Sequence, residues 1–197
     1  NSAFSSGGAS NINSVIDKVG LYRAYTNGED QASYLANNTN ANPDALHSDR
    51  QSREWFASAG TTTGDVDFDL GGVFSIANVV LWNEDVFGIK EFDILAGNNA
   101  DLSDLTYVNS FIAADQAVSP LNVPSFVEQA QVFDLGSTIS ARYIRLLIGS
   151  AYPYEAPNRD NVADPGFRSA SIGEVAFGVV DPIPTPSDTA RFDWFWA

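Results

Sequence analysis

From residue 64 onward, hydrophobic and polar positions alternate with a period of two rather than 3.6. Val66, Phe68 and Leu70 alternate with Asp65, Asp67 and Asp69, the pattern of a strand with one buried and one wet face. Phe74 to Trp82 (FSIANVVLW) follows after Gly71-Gly72, which reads as a turn. Ile89 to Ala96 (IKEFDILA) is the next strand, closed by Gly97-Asn98-Asn99. The runs 105–113, 123–135, 143–148 and 172–180 continue the series. β-Branched and aromatic residues fill these runs, and Gly, Asn, Pro and Asp separate them. No stretch of a dozen residues sustains an amphipathic helix. Seven or more short strands at this spacing predict an all-β fold, an antiparallel sandwich or jelly roll.

One internal echo stands out. Phe68-Asp69-Leu70-Gly71 recurs as Phe133-Asp134-Leu135-Gly136, each copy ahead of another apolar strand, as two similar strand-turn-strand units would be. Two regions lack strand character. Residues 24–54 are rich in Asn, Asp, Ser and Ala and are long for a loop in a compact domain, a length that goes with function or disorder. Residues 150–170 combine prolines with Tyr152, Tyr154, Arg159, Phe167 and Arg168. Asp181 to Pro186 (DPIPTP) reads as a stiff extended linker, followed by the aromatic stretch Arg191-Phe192-Asp193-Trp194-Phe195-Trp196-Ala197. The expected organisation is one sandwich over 1–180 and a Pro-rich linker with an aromatic tail over 181–197.

Charge narrows the partners. The 197 residues carry 25 acidic and 10 basic side chains, a formal charge of −15, so polyanions are repelled at long range. Lysine occurs only at Lys18 and Lys90 and the arginines are dispersed, which argues against nucleic acid and anionic membrane surfaces as partners. With Cys at 0 there is no disulfide framework, thiolate nucleophile or thiolate zinc site, and the single His47 excludes a multi-His metal centre. Met is also 0, so a processed product or excised fragment is expected, and Asn1-Ser2-Ala3-Phe4 suits the start left by signal-peptide removal. No apolar run approaches the ~20 residues of a membrane span.

Several motifs then resemble a known family. Gly64 to Gly71 followed by Ile76 to Trp82, with Trp55 ahead of them, resembles the "W…DLG…I..V.L" signature of discoidin, or coagulation-factor type C, domains. Ala141-Arg142-Tyr143-Ile144-Arg145-Leu146 is similar to the family's "ARYIRL" strand, and Ile172 to Gly178 to its closing "I.E....G" strand. Leu81-Trp82-Asn83 and Gly88-Ile89-Lys90-Glu91-Phe92 resemble the bacterial exported versions most closely. The resemblance covers residues from about 12 to 180. It implies a galactose-binding-like jelly roll of about eight strands that binds glycans or other surface ligands through loops at one end.

The same resemblance implies a structural calcium ion. Val15-Ile16-Asp17 is similar to the family's "AIDG" entry, whose aspartate and nearby carbonyls hold calcium, and Glu174 stands where the last strand contributes the closing ligand. Lys18 replaces the usual Gly, and a long insertion separates Asp17 from Trp55, so Asp49 and Ser52 are candidate replacement ligands. The bland alternative is that Asp17 caps a turn and Glu174 is a solvated strand residue.

Glycan recognition needs an aromatic face against the sugar's C–H face and polar groups for its hydroxyls. Tyr152, Tyr154, Arg159 and Arg168 offer both in one segment, with His47, Arg50 and Asn83 as candidates from neighbouring loops. Alternatively, the tyrosines cover the sandwich edge and the arginines pair with excess carboxylates. Trp55 and Trp82 are expected in the core or at its edge. Catalysis is not expected. Glu84-Asp85 and Glu29-Asp30 are adjacent acids that normally share solvent, and Ser48 and Asp49 beside His47 are not how a triad is assembled. Asn37-Asn38-Thr39 matches a glycosylation sequon only as a pattern. The expected function is a non-catalytic carbohydrate- or cell-surface-binding module of a secreted or surface protein. The competing reading is a surface or matrix assembly subunit that forms homo-oligomers through its aromatic tail.

Overall fold

Two long strands carry the architecture. In the computed structural model, which describes residues 2–5, 11–26, 28–37, 43–48, 53–84, 87–116, 127–152, 169–180 and 192–195, β4 (Gly64–Asn83) runs antiparallel to β8 (Ala130–Ile148). The other strands are β1 (Ser2–Ser5), β2 (His47–Ser48), β3 (Trp55–Phe56), β5 (Glu91–Gly97), β6 (Thr106–Ile112), β7 (Val127–Glu128), β9 (Ser171–Val180) and β10 (Phe192–Phe195). The main sheet has the order β10-β9-β4-β8-β5-β6, with β1 added on β4 and β3 on β9, while β2 and β7 form a separate ribbon. Every ladder among the described strands is antiparallel.

The Phe-Asp-Leu-Gly echo marks where this ladder bends. Asp69 pairs with Tyr143 but the next pair is Phe74 with Ala141, so residues 70–73 stand opposite residue 142 alone. Further along, Ile76 pairs with Ile139 and then Asn78 with Asp134, so residues 135–138 stand opposite residue 77 alone. In each copy the aspartate accepts the N–H of the glycine two residues on, Asp69 Oδ1 from Gly71 at 2.9 Å and Asp134 Oδ1 from Gly136 at 2.7 Å. Both glycines take left-handed backbone, φ 77° and 81°. The turn expected at Gly71-Gly72 is therefore a bulge inside a continuous strand, and residues 130–135 likewise share one strand with 143–148.

The bends fold the sheet on itself into an all-β sandwich. Phe68 of β4 meets Phe177 of β9 edge to face at 5.2 Å, and Phe92 of β5 meets Phe133 of β8 at 5.1 Å. Val66, Leu70, Val79, Leu81, Ile94, Leu146 and Val175 complete this core, and Trp55 joins it. On the face away from the core the aspartates are less wet than alternation implies. Asp67 is only 3% exposed, held by the Arg145 guanidinium at 2.6 and 2.8 Å. Asp69 receives the same fork from Arg142. Arg23 pairs with Glu29 and Asp44, so these three arginines neutralise neighbouring carboxylates, whereas Arg50, Arg159 and Arg168 lie outside the described residues.

Much of the insertion that lacked strand character is folded. Asp30 caps a short helix, α1 (Gln31–Leu35), by accepting the Ser33 N–H at 2.9 Å. Leu21, Tyr25, Tyr34 and Ala45 pack on Val80, Trp82 and Ala176, forming a second apolar cluster on the opposite face of β4 and β9. Trp82 is fully buried there, its Nε1 donating to the Ala45 carbonyl at 2.7 Å. The segment Phe192–Phe195 pairs with β9 of its own chain, Phe192 opposite Val180 and Phe195 opposite Phe177. Among the described residues no helix is long and apolar enough to cross a membrane.

Candidate functional site

Strand β9 presents Glu174 opposite Trp82, and the carboxyl is fully buried. Its Oε2 accepts the Lys18 N–H at 3.1 Å, while Oε1 has no hydrogen-bond partner among the described residues. Glu174 is therefore not the solvated strand residue of the bland reading. Lys18 takes a left-handed backbone, φ 62°, a conformation that glycine adopts freely. Its ammonium donates to the Tyr25 carbonyl at 2.9 Å and lies 4.7 Å from the Tyr25 ring centroid. Asp17 follows the 3-10 turn Ile12–Ile16, is exposed, and accepts the Val19 N–H at 2.9 Å. Burial first, and then the charge of Asp17, push the Glu174 carboxyl well above the usual carboxylate range.

Calcium takes six to eight oxygen ligands at ~2.3–2.6 Å. A buried carboxylate oxygen without a partner, electrostatically coupled to a second carboxylate, is the kind of donor that such a cation completes. Glu174 could supply one such donor, and exposed Asp17 a second. Asp49 and Ser52, the other two expected ligands, lie outside the described residues.

A second polar group is buried against β9. His47 and Glu128 are register partners in the β2–β7 ribbon, which sets their side chains side by side, His47 Nδ1 at 3.0 Å from Glu128 Oε2. Glu54, immediately before β3, completes the group. His47, Glu54 and Glu128 are 0%, 2% and 0% exposed, and one ligand-type atom from each lies within 4.8 Å of the others. The 3.0 Å contact is not a charged pair, because burial, aided by the Arg53 charge, lowers the imidazole to about 3 and keeps it neutral at ordinary pH.

None of the three expected sugar contacts that lie among the described residues is exposed. His47 and Asn83 are both fully buried, so neither can stack on or hydrogen-bond a glycan from a rim. Asn83 faces inward and braces a loop, its Nδ2 donating to the Ile89 carbonyl at 2.8 Å. Tyr152 is half-buried, its hydroxyl donating to the Ala113 carbonyl at 2.7 Å and its N–H to the Gly88 carbonyl at 2.9 Å. Lys90 Nζ lies 5.8 Å from its ring. Arg50, Tyr154, Arg159 and Arg168 lie outside the described residues.

One end of the sandwich gathers these elements. Asn83 ends β4 opposite Ile172, Gly88 bridges to Ser171, and Ile89 bridges to Ala151. Glu84 is also buried here rather than sharing solvent, its Oε2 accepting from the Phe87 N–H and, at 2.9 Å, from the Ser171 hydroxyl. Segment 150–170 departs from β8 and returns to β9 at this same end. Sequence reasoning missed Glu54 and Glu128, and placed Glu84 in solvent. Glu54 beside a core tryptophan was a usable signal; Glu128, in the polar run Glu128-Gln129-Ala130-Gln131, gave none.

No protein-family model matches the chain, and no curated protein does. Solved structures do match. The structure of the CBM32-1, CBM32-2 and M60 catalytic domains from Clostridium perfringens ZmpB aligns at a TM-score of 0.52 and 15% identity, over 90% of this chain and 14% of that one. The structure of the CBM32-1 and CBM32-2 domains alone aligns at 0.51 and 15% identity, over 90% of this chain and 34% of that one. CpGH89CBM32-5 of Clostridium perfringens, in complex with GalNAc-beta-1,3-galactose, aligns at 0.47 and 10% identity, over 88% of this chain and 91% of that one. The chain shares the discoidin-like, galactose-binding-like sandwich fold with its CBM32 neighbours.

Proposed function

We propose that this chain is an exported, non-catalytic carbohydrate-binding module that holds a glycan in loops at one end of its sandwich. The observation that carries this reading is the fold shared with the CBM32 domains of ZmpB at TM-scores of 0.51 and 0.52. The aromatic and arginine-bearing segment 150–170, which joins β8 to β9 at the end where Asn83, Gly88 and Ala151 meet, supports the loop assignment. The contact residues are Tyr154, Arg159, Arg168 and Arg50, with Tyr152 as a brace at the loop's base. His47 and Asn83 drop out, because both are buried. A charge of −15 favours a neutral or cationic glycan over a uronate- or sulfate-rich one.

Calcium is the structural partner in this reading, held by Glu174 and Asp17. When bound it would supply the positive charge that the Glu174 carboxylate lacks and tie the 15–19 turn to β9. The alternative, assembly through the tail, has no observation in its favour, since Phe192–Phe195 already pairs within the chain.

The test is an array of galactose, N-acetylgalactosamine, their oligosaccharides and chitosan oligomers, read in calcium and in EDTA. Wild type is expected to bind at least one neutral or cationic glycan. Tyr154→Ala and Arg159→Ala are expected to weaken it about tenfold without changing Tm. Calcium is expected to raise Tm in wild type but not in Glu174→Gln. Failure to retain any glycan contradicts the binding role; an unchanged Tm contradicts the calcium assignment alone.

A further inference from the structure

We propose that His47, Glu54 and Glu128 form a second metal site, a buried position for a zinc-class divalent cation that pins the β2–β7 ribbon and β3 to the sandwich. Its three donors are none of the residues assigned above to the glycan loops or to calcium.

The donors are built into the fold from three directions. The β2–β7 register sets His47 opposite Glu128, the pairing of Trp55 with Ile172 carries Glu54 alongside, and β9 forms the floor. The floor is glycine where the cluster lies: a Cβ at Gly173 would overlap Glu128 Oε2 and approach His47 Nδ1 to 3.0 Å. On the other side, a Cβ at Gly20 would overlap His47 Nε2. The imidazole is thus clamped between two backbone positions that admit no side chain, with no well-aligned hydrogen bond at either ring nitrogen among the described residues. A fully buried imidazole whose 3.0 Å approach to a carboxylate is not a well-formed hydrogen bond is the second feature that points to a ligand, because buried polar groups ordinarily find a well-aligned partner.

Chemistry selects the cation. One imidazole nitrogen and two carboxylate oxygens within 4.8 Å of one another suit a borderline ion such as Zn2+, with bonds of ~2.0–2.2 Å. Calcium prefers all-oxygen ligands in larger number, so the imidazole argues against it. Two carboxylates balance a dication, and the neutral imidazole is the form that ligates. The donors come from sequence positions 47, 54 and 128, so binding would cross-link the insertion and the 127–128 strand to the sheet.

The test is titration of the metal-stripped full chain with Zn2+, and with Co2+ as a visible-light probe, in calcium throughout. One equivalent is expected to bind, with Co2+ absorption of a low-coordinate N/O site that excess Ca2+ does not bleach. Glu128→Gln and Glu54→Gln, near-isosteric changes whose folding is checked by circular dichroism, are expected to weaken binding on the order of 100-fold. X-ray absorption of the zinc-loaded wild type, which needs no variant, is expected to show one imidazole among oxygen donors. Absence of tight stoichiometric binding, affinity unaltered in both folded variants, displacement by Ca2+, or an all-oxygen shell would each overturn the proposal.

Discussion

Gln31 and Asn78 form a reciprocal amide pair: Gln31 Nε2 donates to Asn78 Oδ1 at 2.8 Å, and Asn78 Nδ2 donates to Gln31 Oε1 at 3.1 Å. Both are buried, and the pair joins α1 in the insertion to the bulged part of β4. Gly178 makes the space, since a Cβ there would overlap the Asn78 amide. Gln31→Leu leaves the Asn78 amide unsatisfied in an apolar setting and is expected to destabilise the fold by about 1–3 kcal/mol, measured by urea unfolding.

The two arginine forks on the outer face differ in depth. Asp67 is buried beneath Arg145, whereas Arg142 and Asp69 remain 40% and 23% exposed at the side chain. Arg145→Met strands a buried carboxylate and is expected to cost about 3–5 kcal/mol. Arg142→Met removes a solvent-screened pair and is expected to lower Tm far less. Equal losses would mean that Asp67 is not held as described.

Gly20 and His47 are expected to be energetically coupled. A methyl at residue 20 collides with the imidazole, so Gly20→Ala should destabilise wild type by about 1–3 kcal/mol. In a His47→Ala background the collision is gone and the same change should cost much less. The difference, read from a double-mutant cycle, should exceed about 0.5 kcal/mol.

Two buried groups bear on acid stability with opposite sign. His47 titrates near 3 when folded and near 6.5 when unfolded, so its contribution is present above 6.5 and lost as pH falls towards 3. Glu174 is raised when folded, so its contribution is present below its unfolded value and lost as pH rises. The metal-free His47→Gln variant should therefore gain stability on mild acidification, and Glu174→Gln should lose it more steeply than wild type, in unfolding midpoints measured across pH 4 to 7.

What the sequence disclosed follows from where its signals are local. Alternation in 64–83 and 130–148, the repeated Phe-Asp-Leu-Gly and the burial of Trp55 and Trp82 were readable because each is a short-range pattern that the sandwich amplifies. The role of Gly71-Gly72 was misjudged, because a bulge with an Asp-captured glycine and a turn have the same composition. The insertion hid its fold for another reason. Tyr25, Tyr34 and Ala45 bury themselves at no regular period, and α1 has too few turns to show one. The buried acids were the hardest to find. Glu128 and His47 meet only through strand pairing between distant segments, and their burial depends on the glycines at 20 and 173, which carry no chemical signal.

The central claim is that one end of the sandwich binds a glycan. Backbone amide shifts, followed by NMR while galactose or N-acetylgalactosamine is titrated into the calcium-loaded protein, test it most directly. The account predicts saturable shifts concentrated in residues 84–90 and 150–170. No shifts at tens of millimolar sugar, or shifts confined to the shallow face of β5 and β6 lined by Glu91, Asp93, Ser110 and Ile112, would contradict it.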